Sequence, residues 1–263
     1  MIYPDLADPI GVLYSRYPSP LDGPLSIVIP IYNEQGSIKL LVEEIIACLD
    51  QKLEYEILIV DDGSSDDSVA QLLALRQATR VPLRLVRHRS NLGQSTALYT
   101  GINIAQSEWV ATLDGDGQND PADILRMLKQ LENGPDNLEL ICGYRRRRVD
   151  PWIRRICGRI ANAVRSRLLC DDTPDTGCGI KLIKRSAFLA LPFFDHMHRF
   201  LPALIKRQGG AVISLEVHHR ARRHGYSKYG LHDRLWVGIV DLFGVYWLQR
   251  RGRIPDYEEV ANA

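Results

Sequence analysis

Apolar residues in the first half of the chain follow two alternating patterns. Short unbroken apolar runs are typical of buried strands, and apolar residues that recur every three or four positions are typical of amphipathic helices. The predicted strands are residues 25–30, 56–60, 83–88 and 109–114. The predicted helices are residues 37–50, 67–78, 94–105 and 122–132. This alternation predicts an α/β fold with a mostly parallel central sheet and helices on both faces.

A fifth strand is predicted at residues 140–143, and the alternation loosens after it, where an arginine-rich stretch covers residues 145–155. Beyond it the pattern predicts a helix at residues 156–169, a strand at 180–183, a helix at 200–208, a strand at 211–218 and a last apolar helix at 231–249. The first 24 residues are rich in Pro and Tyr and show no periodicity, which predicts an irregular arm.

The composition, 45% hydrophobic and 25% charged, is that of an ordinary globular protein. The N-terminus lacks the basic start and apolar run of a secretory signal, and no apolar stretch reaches the roughly 18–20 residues of a membrane span. Five cysteines are scattered without a C-x-x-C pair, which suits a reducing compartment. These features predict a cytoplasmic protein that is soluble or peripheral to a membrane.

Charge is distributed unevenly along the chain. Residues 140–235 hold 20 of the 33 basic residues but only 7 of the 32 acidic ones. A basic region of this kind is expected to meet an anion such as a phosphate or an acidic lipid. No stacking aromatic residues interleave Arg145 to Arg148, so nucleic acid is not an expected partner.

Polar loops follow three of the predicted strands. The first strand leads into Pro30-Ile31-Tyr32-Asn33-Glu34, the second into Asp61-Asp62-Gly63-Ser64, and the fourth into Asp114-Gly115-Asp116-Gly117-Gln118. Because the carboxyl ends of parallel strands meet at one edge of a sheet, the three loops are expected to converge on a single crevice.

The Asp-x-Asp sequence is the sharpest candidate site. Asp114 and Asp116 can both reach one cation, and hard oxygen ligands suit Mg²⁺ or Mn²⁺. Gln118 offers a further carbonyl oxygen. Asp-Gly pairs are also ordinary turn formers, but the place at a strand end favours a metal that binds a nucleotide diphosphate.

The other two loops fit a nucleoside. Asp62 is placed to accept hydrogen bonds from a base or a ribose hydroxyl, as acidic residues at strand ends do in dinucleotide folds. Pro30, Tyr32 and Glu34 offer an aromatic face and a carboxylate for the same purpose. The alternative is that both loops are only strand-to-helix turns with capping residues.

Several motifs resemble glycosyltransferase family 2, the inverting GT-A enzymes. The matching text is VIPIYNE, VDDGSSDDS, NLGQSTALYTGINIAQSEWVATLDGDGQNDP, DTGCGIKLIKR and RRHGYSKYG, which spans residues 25–229. The sequence looks most similar to the polyprenyl-phosphate branch, with its dolichyl-phosphate mannosyltransferases and undecaprenyl-phosphate sugar transferases. The resemblance implies a GT-A catalytic domain over residues 25–230, preceded by the arm over 1–24 and followed by an amphipathic helix and tail over 231–263.

The resemblance also implies roles for individual residues. The nucleotide would be bound by Pro30, Tyr32, Glu34, Asp62 and Asp114. The Mg²⁺ or Mn²⁺ ion would be held by Asp114, Asp116 and Gln118. The acceptor phosphate and the donor diphosphate would be gripped by Arg145, Arg222 and Lys228. Asp175 matches an acidic residue near the reacting centre.

The basic region favours a phosphate acceptor on physical grounds. A phosphate monoester, with a second pKa of about 6, is largely dianionic near neutral pH and needs no general base. It needs cations, and arginine suits bidentate contact with phosphate. We therefore expect transfer of a sugar from a UDP- or GDP-sugar to a polyprenyl phosphate at the cytoplasmic face of the membrane.

Two other activities are weighed. A family 2 enzyme with a carbohydrate or protein hydroxyl acceptor would need a carboxylate base, for which Asp175 is the candidate. A sugar nucleotidyltransferase would carry a glycine-rich basic loop after the first strand, where this chain has YNEQGS.

The C-terminal segment combines aromatic residues with terminal arginines. Trp236, Phe243, Tyr246 and Trp247 precede Arg250, Arg251 and Arg253. This pattern predicts a helix at a lipid headgroup layer, that is, peripheral membrane contact or a membrane-protein partner. The alternatives are docking on its own domain or a homodimer.

Overall fold

The computed structural model describes residue 21 and residues 23–79, 81–146, 162–221 and 231–251, with side chains in the last range described from residue 237. The described strands are β1 (Leu25–Ile31), β2 (Tyr55–Asp61), β3 (Leu83–Arg87), β4 (Trp109–Thr112), β5 (Leu138–Tyr144), β6 (Lys181–Lys184) and β7 (Ala211–Glu216). Together they form one seven-stranded sheet in the order β3-β2-β1-β4-β6-β5-β7. Strands β3, β2, β1 and β4 run parallel, β6 is antiparallel to β4 and β5, and β5 is parallel to β7.

Helices cover both faces of this sheet, as the sequence predicts. They are α1 (Ile38–Leu49), α2 (Ser68–Ala78), α3 (Gln94–Ile104), α4 (Ala122–Glu132), α5 (described over residues 162–169), α6 (Arg185–Leu189), α7 (Leu201–Arg207) and α8 (Leu231–Arg251). Side chains of β2 alternate between two cores: Ile57 and Ile59 pack with α1 and α2, and Leu58 and Val60 pack with α3. The mostly parallel sheet with two helical layers is confirmed.

Two strands end two residues earlier than predicted, and β3 ends one residue early, at Arg87. The strand predicted to reach Asp114 ends at Thr112, because the Asp114 amide donates to the Asn119 side chain at 3.1 Å instead of continuing the ladder. The strand predicted to reach His218 ends at Glu216, and the His218 amide donates to Asp123 at 2.7 Å. Both losses occur where the chain leaves the sheet to build loops.

Parts of three predicted elements lie outside the described residues. These parts are residues 1–20 and 22 of the arm, residues 156–161 of the predicted helix, and the tail after residue 251. Helix α6 and the 3-10 turn at Met197–Arg199 are additional elements. They are too short to show a helical period in the sequence.

From residue 237 on, where its side chains are described, helix α8 packs on the molecule along one side. Val245 is buried with the core that contains α7, and Arg207 donates from Nε to the Leu248 carbonyl at 3.2 Å. Phe243 and Trp247 on the same helix are 61% and 60% exposed. None of the described helices combines the length and the hydropathy that crossing a membrane requires.

Helix α3 lies directly against the sheet because Gly101 has no side chain. A β-carbon at this position would lie 2.4 Å from the Val28 side chain and 3.2 Å from that of Val60. Real β-carbons essentially never approach another atom this closely, so a larger residue must push α3 away from β1 and β2. This close approach brings the N-terminal end of α3 to the strand ends.

Substitution of two helical glycines should therefore have opposite effects. Gly101→Ala is expected to lower the free energy of unfolding by about 1–3 kcal/mol through overpacking, despite the better helix propensity of alanine. Gly244→Ala is expected to raise it by up to about 1 kcal/mol, because Gly244 is in α8 with open space around its Cα. Urea unfolding of both variants measures the difference. Equal effects of the same sign would contradict this account of how α3 packs.

Candidate active site

The loops that follow β1 and β2 are bonded to each other. The Asn33 amide donates to Ser64 Oγ at 2.8 Å, and the Ser65 amide donates back to Asn33 Oδ1 at 2.8 Å. The Glu34 amide donates to Ser68 Oγ at 2.9 Å. These bonds satisfy backbone groups that would otherwise be unpaired, so the two loops form one rigid wall.

The loop after β4 is attached to the same wall. Ser37 Oγ donates to the Gly115 carbonyl at 2.9 Å and lies 3.1 Å from Glu34 Oε2. A β-carbon at position 115 would lie 2.7 Å from the Ile31 side chain, so only glycine allows this approach. The three predicted loops therefore converge on one crevice at the carboxyl edge of the sheet.

Asp114 lies at the bottom of this crevice and is held on two sides. Gln94 Nε2 donates to Asp114 Oδ1 at 2.8 Å, from the first residue of α3. On the other side, a β-carbon at Gly179 would lie 2.1 Å from the Asp114 carboxylate. Gly179 therefore provides the space that the carboxylate occupies.

The electrostatic surroundings make Asp114 unusual. Burial and the nearby charge of Asp116 raise the pKa of Asp114 to about 6, although Lys181, Arg145 and the hydrogen bond from Gln94 lower it. Two carboxylates that repel each other in a partly buried crevice favour a cation between them. This arrangement fits Mg²⁺ or Mn²⁺, because a magnesium ion in such sites is commonly held by one or two carboxylates plus substrate phosphates. The described residues contain no group of three His, Cys, Asp or Glu side chains able to hold a metal.

The third expected ligand, Gln118, lies beside Asp116. Its amide donates to Asp116 Oδ1 at 3.1 Å, and its side-chain nitrogen donates to the Arg220 carbonyl at 3.3 Å. Asp114, Asp116 and Gln118 lie in one loop, and the bond to Arg220 ties that loop to the segment after β7. That these three residues bind a metal stays a prediction.

A cavity of about 310 Å³ opens next to Asp114. Its polar lining comes from residues distant in sequence, and its apolar side is formed by α3 and Phe188. Lys181 is buried in the lining and donates from Nζ to the Cys178 carbonyl. Burial and the charges of Arg199 and Lys181 hold the pKa of His198 well below its usual value, so this imidazole is neutral near pH 7. The polar lining residues include Gln94, Thr112, Asp114, Thr176, Lys181, His198 and Arg199.

Arg145 and Asp175 form a bidentate ion pair near this cavity. Arg145 Nε lies 2.7 Å from Asp175 Oδ2, and Nη2 lies 3.1 Å from Oδ1. Asp175 is only 4% exposed. The pair uses two of the five guanidinium N–H groups, and both carboxylate oxygens accept from Arg145. Behind it, the buried Arg165 contacts Asp171 at 2.9 Å and so braces the segment that carries Asp175.

Asp62 has a different environment from the one expected for a nucleoside ligand. Its carboxylate accepts from the amides of Leu92 and Gly93 at 2.9 and 2.7 Å, and His88 Nδ1 lies 2.7 Å away. In this structure Asp62 holds the loop between β3 and α3. Pro30, Tyr32 and Glu34 lie at the end of β1, at the same carboxyl edge of the sheet as Asp62.

Two expected phosphate-binding residues, Arg222 and Lys228, lie outside the described residues. Several residues of the site carried no assigned role in the sequence prediction, among them Ser37, Gln94, Lys181 and His198. Gln94 and Lys181 are inside the motifs NLGQS and DTGCGIK, which marked the segments but not these side chains. Nothing in the sequence indicates that His198 faces Ser95, 2.7 Å from its Nδ1.

Comparisons with known proteins agree with this geometry. The family model "Glycosyl transferase family 2" matches residues 26–191. A dodecaprenyl-phosphate galacturonate synthase of Rhizobium johnstonii is 36% identical over 240 residues, which cover 89% of this chain and 69% of that protein. An undecaprenyl-phosphate 4-deoxy-4-formamido-L-arabinose transferase of Edwardsiella ictaluri is 37% identical over 211 residues, covering 79% and 63%. About a third of each relative therefore lies outside the match.

The fold is also found in solved structures. Glucosyl-3-phosphoglycerate synthase from Mycobacterium tuberculosis, crystallised with Mn²⁺, uridine diphosphate and glucosyl-3-phosphoglycerate, superimposes with a TM-score of 0.65. The two proteins share 19% sequence identity, and the alignment covers 89% of this chain and 82% of the other. At this identity the likeness shows the GT-A fold alone. With the family match and the curated relatives, it follows that the chain belongs to glycosyl transferase family 2, in the polyprenyl-phosphate branch.

Proposed function

We propose that the protein is a metal-dependent inverting glycosyltransferase that moves a sugar from a nucleoside diphosphate sugar to a polyprenyl phosphate. The observation that carries this proposal is the position of Asp114 in the lining of the cavity, with Asp116 two residues later in the same loop, in a crevice formed by three strand-end loops. A nucleoside diphosphate sugar bound across this crevice would place its phosphates at the carboxylates and the sugar to be transferred at the cavity.

The donor end of the site follows from that arrangement. Asp114 and Asp116, with Gln118 beside them, would hold Mg²⁺ or Mn²⁺, which neutralises charge on the departing nucleoside diphosphate. Pro30, Tyr32 and Glu34 would contact the nucleoside. Asp62 would shape the same pocket by fixing Leu92 and Gly93. The Mn²⁺ and uridine diphosphate in the mycobacterial structure support this donor class.

The transfer needs little acid–base chemistry from the protein. An oxygen of the acceptor phosphate forms a bond to the anomeric carbon, and the bond from that carbon to the donor β-phosphate oxygen breaks. The nucleoside diphosphate leaves with that electron pair. Arg145, Arg222 and Lys228 would hold the acceptor phosphate against the repulsion of the donor. Asp175 would orient Arg145, a role supported by the bidentate pair.

The names of the relatives support a polyprenyl phosphate acceptor. Both curated relatives are named for a polyprenyl phosphate, although their sugars differ: a galacturonate in one and a formamido-arabinose in the other. The hydroxyl-acceptor alternative needs a free carboxylate base. Asp175 suits that role poorly because both of its oxygens accept from Arg145.

We further propose that α8 contacts the cytoplasmic face of the membrane. Val240, Phe243 and Trp247 are 68%, 61% and 60% exposed on one stretch of this helix, and Arg250 and Arg251 lie in its last turn. Exposed apolar and aromatic residues followed by cations suit a headgroup layer. A membrane-protein partner or a second copy of the chain are the other occupants proposed for this surface.

Nucleotide release should depend on both lipid and metal. We expect a UDP- or GDP-sugar to be consumed with Mn²⁺ or Mg²⁺ only when a short-chain polyprenyl phosphate is present. Asp116→Asn is expected to lower the rate at least about a hundredfold, because the metal supplies several kcal/mol of charge stabilisation. Nucleotide release and formation of the glycolipid measure the reaction.

The matched control for this assay is Asp136→Asn, which removes one exposed carboxylate in the turn before β5. It should leave the rate unchanged. Full activity of Asp116→Asn, or full activity in the presence of a chelator, would contradict the metal site. Turnover with a sugar or protein acceptor but not with the lipid would replace the acceptor proposed here.

The raised pKa of Asp114 predicts a cost in stability. Since the folded pKa of about 6 exceeds the unfolded value, the folded state binds the proton more tightly, and ionised Asp114 destabilises the metal-free protein at neutral pH. Asp114→Asn should raise the free energy of unfolding at pH 7.5 by about 1–3 kcal/mol. The gain should shrink as the pH falls through 6 toward 4.

Thermal unfolding in the presence of a chelator tests this prediction, with Asp136→Asn as the control for the loss of one charge. Added Mn²⁺ should stabilise the wild type more than the variant. A metal-free variant that is less stable than the wild type at pH 7.5 would show that Asp114 is a structural residue rather than one kept for a ligand.

A further inference from the structure

Arg220 bridges two carboxylates beside the candidate metal loop. Its Nη1 lies 2.6 Å from Glu44 Oε2 on α1, and its Nη2 lies 2.9 Å from Asp120 Oδ2 at the end of the loop. The three side chains are half-buried. A planar guanidinium can contact two separate carboxylates at fixed angles, which an ammonium group cannot. Arg220 therefore connects the loop to a helix on the wall of the crevice.

The backbone around Arg220 pairs with the same loop. The Arg220 amide donates to the Gln118 carbonyl at 3.0 Å, and the Gln118 side chain donates to the Arg220 carbonyl at 3.3 Å. Asn119 and His219 form an antiparallel bridge between these bonds. The loop that carries Asp116 and Gln118 is thus held by the segment after β7 as well as by its own turn.

That segment is itself anchored to the protein. His218 donates from its amide to Asp123 Oδ2 at 2.7 Å, and its Nδ1 lies 3.0 Å from Oδ1. Asp123 is fully buried in the first turn of α4. The backbone of Arg220 is therefore held in place, and its bonds to Gln118 and Asp120 fix the position of the loop relative to α4.

We propose that Arg220 is a positioning residue that sets the geometry of the metal-binding loop. It acts through Asp120, Glu44 and the backbone of Gln118 and does not itself bind the metal or the donor. This inference rests on the proposed function, since it requires a divalent cation at Asp114 and Asp116. Arg222, proposed to bind the acceptor phosphate, follows two residues later in the same segment.

The sign of one effect separates positioning from simple charge. Arg220 is positive and lies near a cation site, so its charge alone opposes Mn²⁺ binding. Removing it would strengthen Mn²⁺ binding if only charge mattered. If Arg220 holds the loop, removing it weakens binding, because the loop loses the contacts that orient Asp116 and Gln118.

Electron paramagnetic resonance of free Mn²⁺, with the protein and either UDP or GDP, whichever strengthens Mn²⁺ binding to the wild type, measures this affinity without any turnover. Arg220→Met is expected to weaken Mn²⁺ binding roughly ten- to a hundredfold, the range usual for residues that orient metal ligands. Arg220→Lys keeps the positive charge but not the planar guanidinium that contacts two carboxylates. Its Mn²⁺ affinity should lie between those of Arg220→Met and the wild type. Arg84→Met is the matched control, since Arg84 is a similarly exposed arginine paired with Glu56 near the opposite ends of β2 and β3.

The affinity order wild type, Arg220→Lys, Arg220→Met, with Arg84→Met unchanged, supports the proposal. Arg220→Met that binds Mn²⁺ as tightly as the wild type, or more tightly, overturns it. If Arg220→Met does not fold by circular dichroism, Arg220→Lys decides, and wild-type affinity in that variant overturns the proposal. If the wild type binds no Mn²⁺, both the metal site of the proposed function and this inference are overturned. If the wild type binds Mn²⁺ and Arg220→Met binds it with the same affinity, only the inference is overturned.

Discussion

The parallel pairing of β2, β1 and β4 is the constraint on which the site depends. Because the three strands are neighbours and point the same way, their following loops must leave the sheet at one edge. The hydrogen bond from Ser37 to the Gly115 carbonyl and the missing side chain of Gly115 then hold the loops after β1 and β4 together, and Asn33 holds the loop after β2 to them. A shift of one strand would separate the nucleoside side of the crevice from Asp114 and Asp116.

The repulsion between Asp114 and Asp116 is the electrostatic cost of the proposed metal site. Asp114 and Asp116 repel each other, and the folded protein tolerates the pair because Lys181, Arg145 and Gln94 lie close to Asp114. Arg145 is in turn held by Asp175, whose segment is braced by Arg165. Lys181 and Arg145 thus lie at fixed positions near Asp114, as the proposed anionic donor and acceptor would require.

The sequence predicted the local structure of the first half well and the long-range structure less well. The apolar runs and helical periods located β1 to β4 and α1 to α4, and the polar residues after those strands located the crevice. The insertion of β6 between β4 and β5, antiparallel to both, was not predictable from periodicity. Yet it is this insertion that places Gly179 and Lys181 beside Asp114. Asp62 shows the converse. Its position at a strand end was predicted, but the amides that it binds belong to a loop about thirty residues later in the chain. No local pattern in the sequence reveals such contacts.

The most direct test of the account is the position of Mn²⁺ in crystals grown with UDP, located by the anomalous scattering of manganese. The account predicts one Mn²⁺ ion in contact with the carboxylates of Asp114 and Asp116 and with the diphosphate, and a uracil near Tyr32. UDP bound elsewhere on the protein, or Mn²⁺ bound away from both carboxylates, would contradict it.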